Sequence, residues 1–337
     1  MTTKEFQRKR PLTIFLSYFK NHLGLFLVDI SCAVLIAVVD LAFPLITRHA
    51  LYDLLPNQAY RTFFIIMVSV LGVYVIRTGL NYILCYYGHT FGIRVEADIR
   101  ADLFRHMQEL GFDFYDKNRT GQMMSRLTTD LFELTELSHH GPEDLLTSTL
   151  TIVGALVVMF RIQWKLALVV AVMVPLFLAV IMVMRRSMSE ASKAVKQKTG
   201  HINTEIESSL SGIRTAKAFA SEEQEIARFN AANNIYKTSK RQFHKAMARF
   251  NSTMEFFLCS LNVAVIGIGG YLIMKGQMDH VDLITFSLYI TTFVNPMRKM
   301  ANFSELFASG FAGLNRFVDL MRTEPSLQDR PDAKPLV

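Results

Sequence analysis

The sequence predicts an all-α membrane protein, with six transmembrane helices and long cytoplasmic extensions. Three observations predict it. Of the 337 residues, 51% are hydrophobic and 19% charged, with a mean hydropathy of +0.25, which is greasier than a soluble domain of this length. Apolar stretches recur near 24–47, 62–87, 145–162, 166–184, 256–274 and 281–297, and about 20 such residues carry a helix through hydrocarbon roughly 30 Å thick. No alternating strand pattern competes with these runs, so helices are the way to satisfy the backbone inside lipid. The same composition excludes an intrinsically disordered chain and a collagen-like fibre.

Charge placement sets the orientation. The chain carries 36 Lys and Arg against 29 acids, a net charge of +7. If all six stretches cross, segments 1–22, 89–144, 185–245 and 298–337 share one side and hold 29 of those 36 cations. The other side holds Arg48, Arg61, Arg161, Lys165 and Lys275. By the positive-inside rule the first side is cytoplasmic and both termini lie inside. The basic balance therefore points to membrane lipid as a partner and not to nucleic acid. Arg8-Lys9-Arg10-Pro11 before an apolar stretch has the start of a signal peptide, but Lys20, Asn21 and His22 interrupt it and no small-residue cleavage site follows, so the N-terminus is expected to be retained. Cys32, Cys85 and Cys259 sit in apolar runs without a C-x-x-C and read as core residues. No metal site is expected: His139 and His140 are adjacent, and neighbours on a helix point to different faces.

The two inner connections, 89–144 and 185–245, are long and poor in Pro and Gly. In the first, Val95, Ile99, Leu103, Met107 and Leu110, then Met124, Leu127, Leu131 and Leu134, form helical seams. In the second, Met188, Ala191, Val195, Ile202, Ile206, Leu210 and Ile213, then Ile226, Phe229, Tyr236, Phe243, Met247, Phe250 and Met254, repeat near every 3.5 residues. A helix from near Arg61 to about residue 110 would reach roughly 75 Å at 1.5 Å per residue. Turns are expected at Gly111 to Gly121 and at Thr215 to Glu222, with Phe114 and Tyr115 exposed until another protein covers them. His139-His140-Gly141-Pro142 reads as a turn into the membrane, and Pro44, Pro175 and Pro296 as kinks.

The turns carry a resemblance. Residues 111–130 (Gly-Phe-Asp-Phe-Tyr-Asp-Lys-Asn-Arg-Thr-Gly-Gln-Met-Met-Ser-Arg-Leu-Thr-Thr-Asp) resemble the first intracellular loop of ATP-binding cassette (ABC) exporters. Residues 211–223 (Ser-Gly-Ile-Arg-Thr-Ala-Lys-Ala-Phe-Ala-Ser-Glu-Glu), followed by Arg228-Phe229, resemble the second. Asn295-Pro296-Met297-Arg298, Asn315-Arg316-Phe317 and Glu324-Pro325 extend the likeness in the right order. The resemblance implies the transmembrane domain of a half-transporter of multidrug or lipid exporter type. It has an elbow helix in 1–22, a six-helix domain over 23–322 and a linker over 323–337 toward a nucleotide-binding domain. It implies a dimer with a second copy or a close homologue, whose fourth and fifth helices cross to the partner. It also implies nucleotide-binding domains in cis or in trans that dock on two coupling elements. By motif match these are Phe114, Tyr115, Asp116, Asn118, Thr120 and Gly121, and Ala216, Lys217, Ala218, Phe219, Ser221 and Glu222. No G-x-x-x-x-G-K-[ST] occurs, so the chain is not expected to be an enzyme or to bind a cofactor itself; ATP and Mg would be held by the nucleotide-binding domains.

Ionisable groups in lipid need partners or a wet cavity. Counting 1.5 Å per residue from the outer ends at Arg48 and Arg61 places Asp29 about 28 Å and Arg77 about 24 Å down, predicting an Asp29–Arg77 pair; Asp40, about 12 Å down, fits less well. Glu255 and Arg298 match in level near the inner interface. Asp40, Asn81, Tyr82, Tyr86, Phe257, Asn262, Tyr289, Phe293 and Asn295 are the candidates for a substrate path, expected to have few charges and several aromatics, and to suit amphipathic drugs, lipids or peptides. The function expected from the resemblance is outward transport by alternating access at a bacterial plasma membrane. A receptor, a regulatory subunit or an energy-independent carrier is the alternative.

Overall fold

The computed structural model describes residues 3–326, so most of the expected linker over 323–337 lies outside the described residues. Among these residues the regular elements are all helical: α1 (Thr3–Arg8), α2 (Pro11–Phe19), α3 (Leu23–His49), α4 (Tyr60–Glu109), α5 (Phe112–Lys117), α6 (Thr120–Leu127), α7 (Thr129–Ile162), α8 (Trp164–Ser211), α9 (Ile213–Ala218), α10 (Glu222–Met274) and α11 (His280–Met321). A 3-10 turn (Lys20–His22) joins α2 to α3, and a π turn (Ala50–Leu54) extends α3. Five stretches are long and apolar enough to cross a membrane among the described residues: Pro11–Leu54, Tyr60–Glu109, Thr120–Ile162, Trp164–Ser211 and Glu222–Met274. The sixth predicted span, 281–297, lies in α11 and falls short by that measure. It is diluted by Asp282 and by Thr285, Ser287, Thr291 and Thr292, the last four of which donate their hydroxyls to carbonyls of their own helix.

Local sequence explains several boundaries. Pro11 opens α2, where its missing N–H costs nothing. Asp279 caps α11 by accepting from the Val281 N–H at 2.9 Å. Glu222, Glu223 and Glu225 crowd the first turn of α10, where the helix dipole favours negative charge. α4 runs unbroken for 50 residues, about 75 Å at the usual rise. α7 passes through Gly141 and Pro142 without a break, so the turn expected there is absent. Pro44, Pro175 and Pro296 likewise lie inside continuous helices.

The chain divides into two compact units, so the expected domain 23–322 is shared between them. The first is Met1–Ile162 with Asp279–Val337. Its predicted seam is buried: Val95, Ile99, Leu103 and Met107 of α4, with Leu110 just past its end, pack with Leu131 and Leu134 of α7, Phe317 and Val318 of α11, and Ile14, Phe15 and Phe19 of α2. Met124 departs from the seam and is exposed. The elbow helix is pinned to α4 by the Tyr18 hydroxyl donating to Asp102 at 2.9 Å and by His22 beside Asp98 at 3.0 Å. Arg316 holds Asp130 in two hydrogen bonds of 2.7 Å, tying α11 to α7. The two helices approach so closely that a Cβ at Gly310 would sit 2.7 Å from the Leu137 Cβ. Gly310→Val is therefore expected to destabilise the unit by roughly 1–3 kcal/mol, read as a lower thermal midpoint in detergent; an unchanged midpoint would show the contact to be loose.

The second unit is Gln163–Met278, in which α8 and α10 pack along each other. Its buried stripe on α10 is Ala232, Ser239, Ala246, Phe250 and Met254, joined by Met188 and Ile202 of α8. The predicted seam holds only in part. Ile206, Leu210, Ile213, Ile226 and Phe229, near the turn, are exposed, because small residues at Ala232 and Ser239 form the contact line.

Candidate functional site

Within the first unit, α3, α4, α7 and α11 enclose a cavity of about 330 Å³. Its wall includes Asp40, Arg77, Asn81, Glu143, Ser148, Asn295, Arg298 and Lys299. A neighbouring lobe of about 280 Å³ shares Asp40, Thr151, Asn295 and Pro296 and adds Phe43 and Tyr74. The cavity is thus rich in charge and amide groups, unlike the path of few charges and several aromatics that the sequence predicts. Lys299 lies 2.6 Å from Asp144 and 3.5 Å from Glu143, which fixes one cation on the α7 side.

Arg77 pairs with Asp40, not with Asp29. Its Nε and Nη2 donate to the two Asp40 carboxylate oxygens at 2.7 and 2.8 Å. Arg48 is not the outer end of the first span. The helix continues through the π turn to Leu54, which lowers Asp40 by about 9 Å at 1.5 Å per residue, while Arg48 itself pairs with Asp282 at 2.7 Å. Asp29 is fully buried against Gly88, and both carboxylate oxygens lack a hydrogen-bond partner. Glu255 is exposed in the second unit, and Arg298 is exposed on the cavity wall of the first.

Of the other predicted path residues, Asn81 and Asn295 line the cavity. Tyr289 and Phe293 do not: both are fully buried, in one stripe with Phe286, Ile290 and Met297, and the Tyr289 hydroxyl donates to the Leu41 carbonyl at 2.9 Å. Tyr82 and Tyr86 stack on each other at 6.3 Å on an exposed face of α4 away from the cavity lining. Phe257 and Asn262 belong to the second unit, where Phe257 packs on Phe177 and Asn262 donates to the Leu258 carbonyl at 3.1 Å. Sequence reasoning missed Glu143, Ser148 and Lys299, which lay in or beside a stretch read as a turn and an inner flank. A signal was available, because Glu143, Thr147 and Thr151 are spaced at i+4 along one helix face.

The two turns are small helices between long ones. In the first, α5 presents Phe112, 83% exposed, with Asp113, Asp116 and Lys117 also exposed. Phe114 is half-buried against the hydrophobic cluster of its unit. Tyr115 hydrogen-bonds the Met107 carbonyl, and Asn118 caps the turn by donating to the Phe114 carbonyl at 2.8 Å. The expectation of exposed rings at Phe114 and Tyr115 is corrected for Phe114, which packs on the cluster; Tyr115 remains exposed, and Phe112 is the most exposed ring of the turn. Thr120 and Gly121 follow at the exposed start of α6. In the second turn Phe219 is 79% exposed just past α9, while Ala216 is buried and Lys217 and Ala218 are exposed. Lys217 lies 2.8 Å from Glu222, and that hydrogen bond holds the Glu222 carboxyl below the usual carboxylate range. Ala220 takes a positive φ of 49°, and the Ser221 N–H donates to the Ala216 carbonyl at 3.0 Å, closing the turn.

Long apolar helices, intramembrane charges gathered on one cavity and two small turn helices define an integral, multi-pass membrane protein. Residues 26–297 match the family described as ABC transporter transmembrane region, and the chain belongs to that family. It is 33% identical over 320 residues to the uncharacterized ABC transporter ATP-binding protein YwjA of Bacillus subtilis, covering 95% of this chain and 56% of the relative. It is 23% identical over 333 residues to an ATP-dependent lipid A-core flippase of Syntrophus aciditrophicus, covering 98% and 55%. With a putative multidrug export ATP-binding/permease protein, YgaD of Bacillus subtilis, it shares 26% over 319 residues, covering 90% and 54%. The chain thus spans about half the length of these curated relatives.

Proposed function

We propose that this chain is the membrane-spanning part of an ABC exporter and moves an amphipathic molecule with a polar head outward by alternating access. The observation that carries the reading is the pair of turns, which offer Phe112 and Phe219 to solvent: an exposed ring in water is costly unless another protein covers it. The covering surfaces would be nucleotide-binding domains, in cis or in trans, to which ATP and Mg belong. Exposed Ile206, Leu210 and Ile226 beside the second turn support further coverage there, by those domains or by a second chain or close homologue in a dimer. The cavity's cations, carboxylates and amides favour a lipid- or lipopeptide-like head over a purely apolar cation. The flippase and multidrug exporter among the relatives agree with an exporter. Basic inner segments favour a plasma membrane with both termini in the cytoplasm.

The test is substrate-stimulated ATPase and vesicle transport by the complete protein, with Asn295→Ala and Asn81→Ala in the cavity. Both variants are expected to lower transport and raise the half-saturating concentration while the unstimulated ATPase stays constant. Unaltered substrate response in the double variant would remove the cavity from the path.

A further inference from the structure

Three histidines that the transport reading does not use converge on one point of the first unit. His89 comes from α4, His139 and His140 from α7. Their rings lie 4.0 Å apart for His139–His140, 4.6 Å for His89–His139 and 5.5 Å for His89–His140, measured between centroids. One nitrogen from each falls within 4.8 Å of the others. The adjacency that argued against a site is overcome by the third ring, which faces both neighbours from a different helix.

The hydrogen bonds already prepare the ligands. The His89 Nδ1 lies 2.8 Å from the Cys85 carbonyl and the His139 Nδ1 3.2 Å from the Thr135 carbonyl. A carbonyl oxygen only accepts, so both Nδ1 atoms carry the proton and both Nε2 atoms keep a lone pair. This is the arrangement by which a metal-ligating imidazole is oriented through its other nitrogen. His139 is only 1% exposed, and its Nε2 has no hydrogen-bond partner, an acceptor desolvated without return. Carboxylates surround the cluster: Glu143 lies 3.8 Å and Glu136 3.9 Å from the His140 nitrogens, and the unpartnered Asp29 lies against Gly88, next to His89. Their charge would offset a cation, with Lys299 opposing through its contact to Glu143. His89 is exposed and gives an ion a way in.

We propose that His89, His139 and His140 bind a divalent first-row transition ion of the zinc type, in a site that staples α4 to α7. Three imidazole nitrogens suit zinc, nickel or copper, whereas magnesium and calcium prefer oxygen ligands. The fourth position is left to water, as in an open three-histidine site. The ion would resist sliding of one helix past the other.

The complete protein, purified with a tag free of histidine, stripped with chelator and supplied with zinc chloride, tests this. After desalting, one zinc per chain and a thermal midpoint raised by several degrees are expected, with no shift from magnesium chloride. Cobalt should give the visible bands of a tetrahedral nitrogen site. His89→Gln, at an exposed position that need not disturb packing, and His140→Gln should each lose the retained zinc and the midpoint shift. Zinc content unchanged in the His89→Gln/His140→Gln double variant, no retention by the parent protein, or an equal shift with magnesium would each overturn the proposal.

Discussion

Replacing Phe112 or Phe219 by Ala is expected to abolish most transport while leaving the membrane domain folded. Each ring is the large apolar group at its turn and touches little of its own unit, with 83% and 79% of its surface exposed. Truncation therefore removes little packing from the chain itself. At an interface, by contrast, an aromatic anchor costs about 2 kcal/mol or more to remove, which is roughly a 30-fold weakening. Transport into vesicles should fall at least tenfold for each variant, and substrate stimulation of the ATPase should vanish before the basal rate does. The thermal midpoint should stay within a degree or two of the parent. Phe114→Ala is expected to behave oppositely, because that ring packs into the hydrophobic cluster: it should lower the midpoint first and impair transport only as a consequence.

Arg77→Ala is expected to be among the more damaging single changes inside the spans. It leaves the Asp40 carboxylate without the two hydrogen bonds that hold it in the cavity wall. Breaking a fully buried pair costs about 3–5 kcal/mol, but these side chains keep 30% and 29% of their exposure, so about 1–3 kcal/mol is the reasonable range. Arg77→Ala and Asp40→Ala should each lower the detergent thermal midpoint by several degrees. The exchanged pair, Asp40→Arg with Arg77→Asp, should recover much of it. If the exchange is no better than the worse single variant, the residues act separately and the ion pair is not what holds α3 to α4 at this level. Asp29→Ala is expected to leave Arg77 unaffected, and additive effects in the Asp29/Arg77 double variant would agree with the observed pairing.

Much of the helical frame was legible in the residues because its signals are local and repetitive. A 20-residue apolar run and a seam such as Val95, Ile99, Leu103 and Met107 need no knowledge of the rest of the fold, and α4 begins and ends within a residue of its expected limits. Side-chain partners were less legible because they depend on where a helix really ends. The π turn at Ala50–Leu54 shifted the first span outward and exchanged Asp29 for Asp40 as the partner of Arg77. Facing was hidden too. Tyr289, Phe293 and Asn295 share one apolar stretch, yet two rings turn into the core and the amide turns to the cavity. At the first turn, Phe112, Phe114 and Tyr115 are indistinguishable by composition, and only the folding of α5 decides that Phe114 turns inward while Phe112 is left most exposed.

On the proposed function, the exposed rings at the two turns meet a force-generating domain. This contact is tested most directly by placing a photoreactive probe there in the complete protein in lipid vesicles, using Phe112→Cys and Phe219→Cys in a background without Cys32, Cys85 and Cys259, with Val68→Cys on the exposed apolar face of α4 as the comparison. Adducts to a nucleotide-binding domain are expected from both turn positions and to lipid from position 68. Lipid adducts from 112 and 219 matching those from 68 would contradict this.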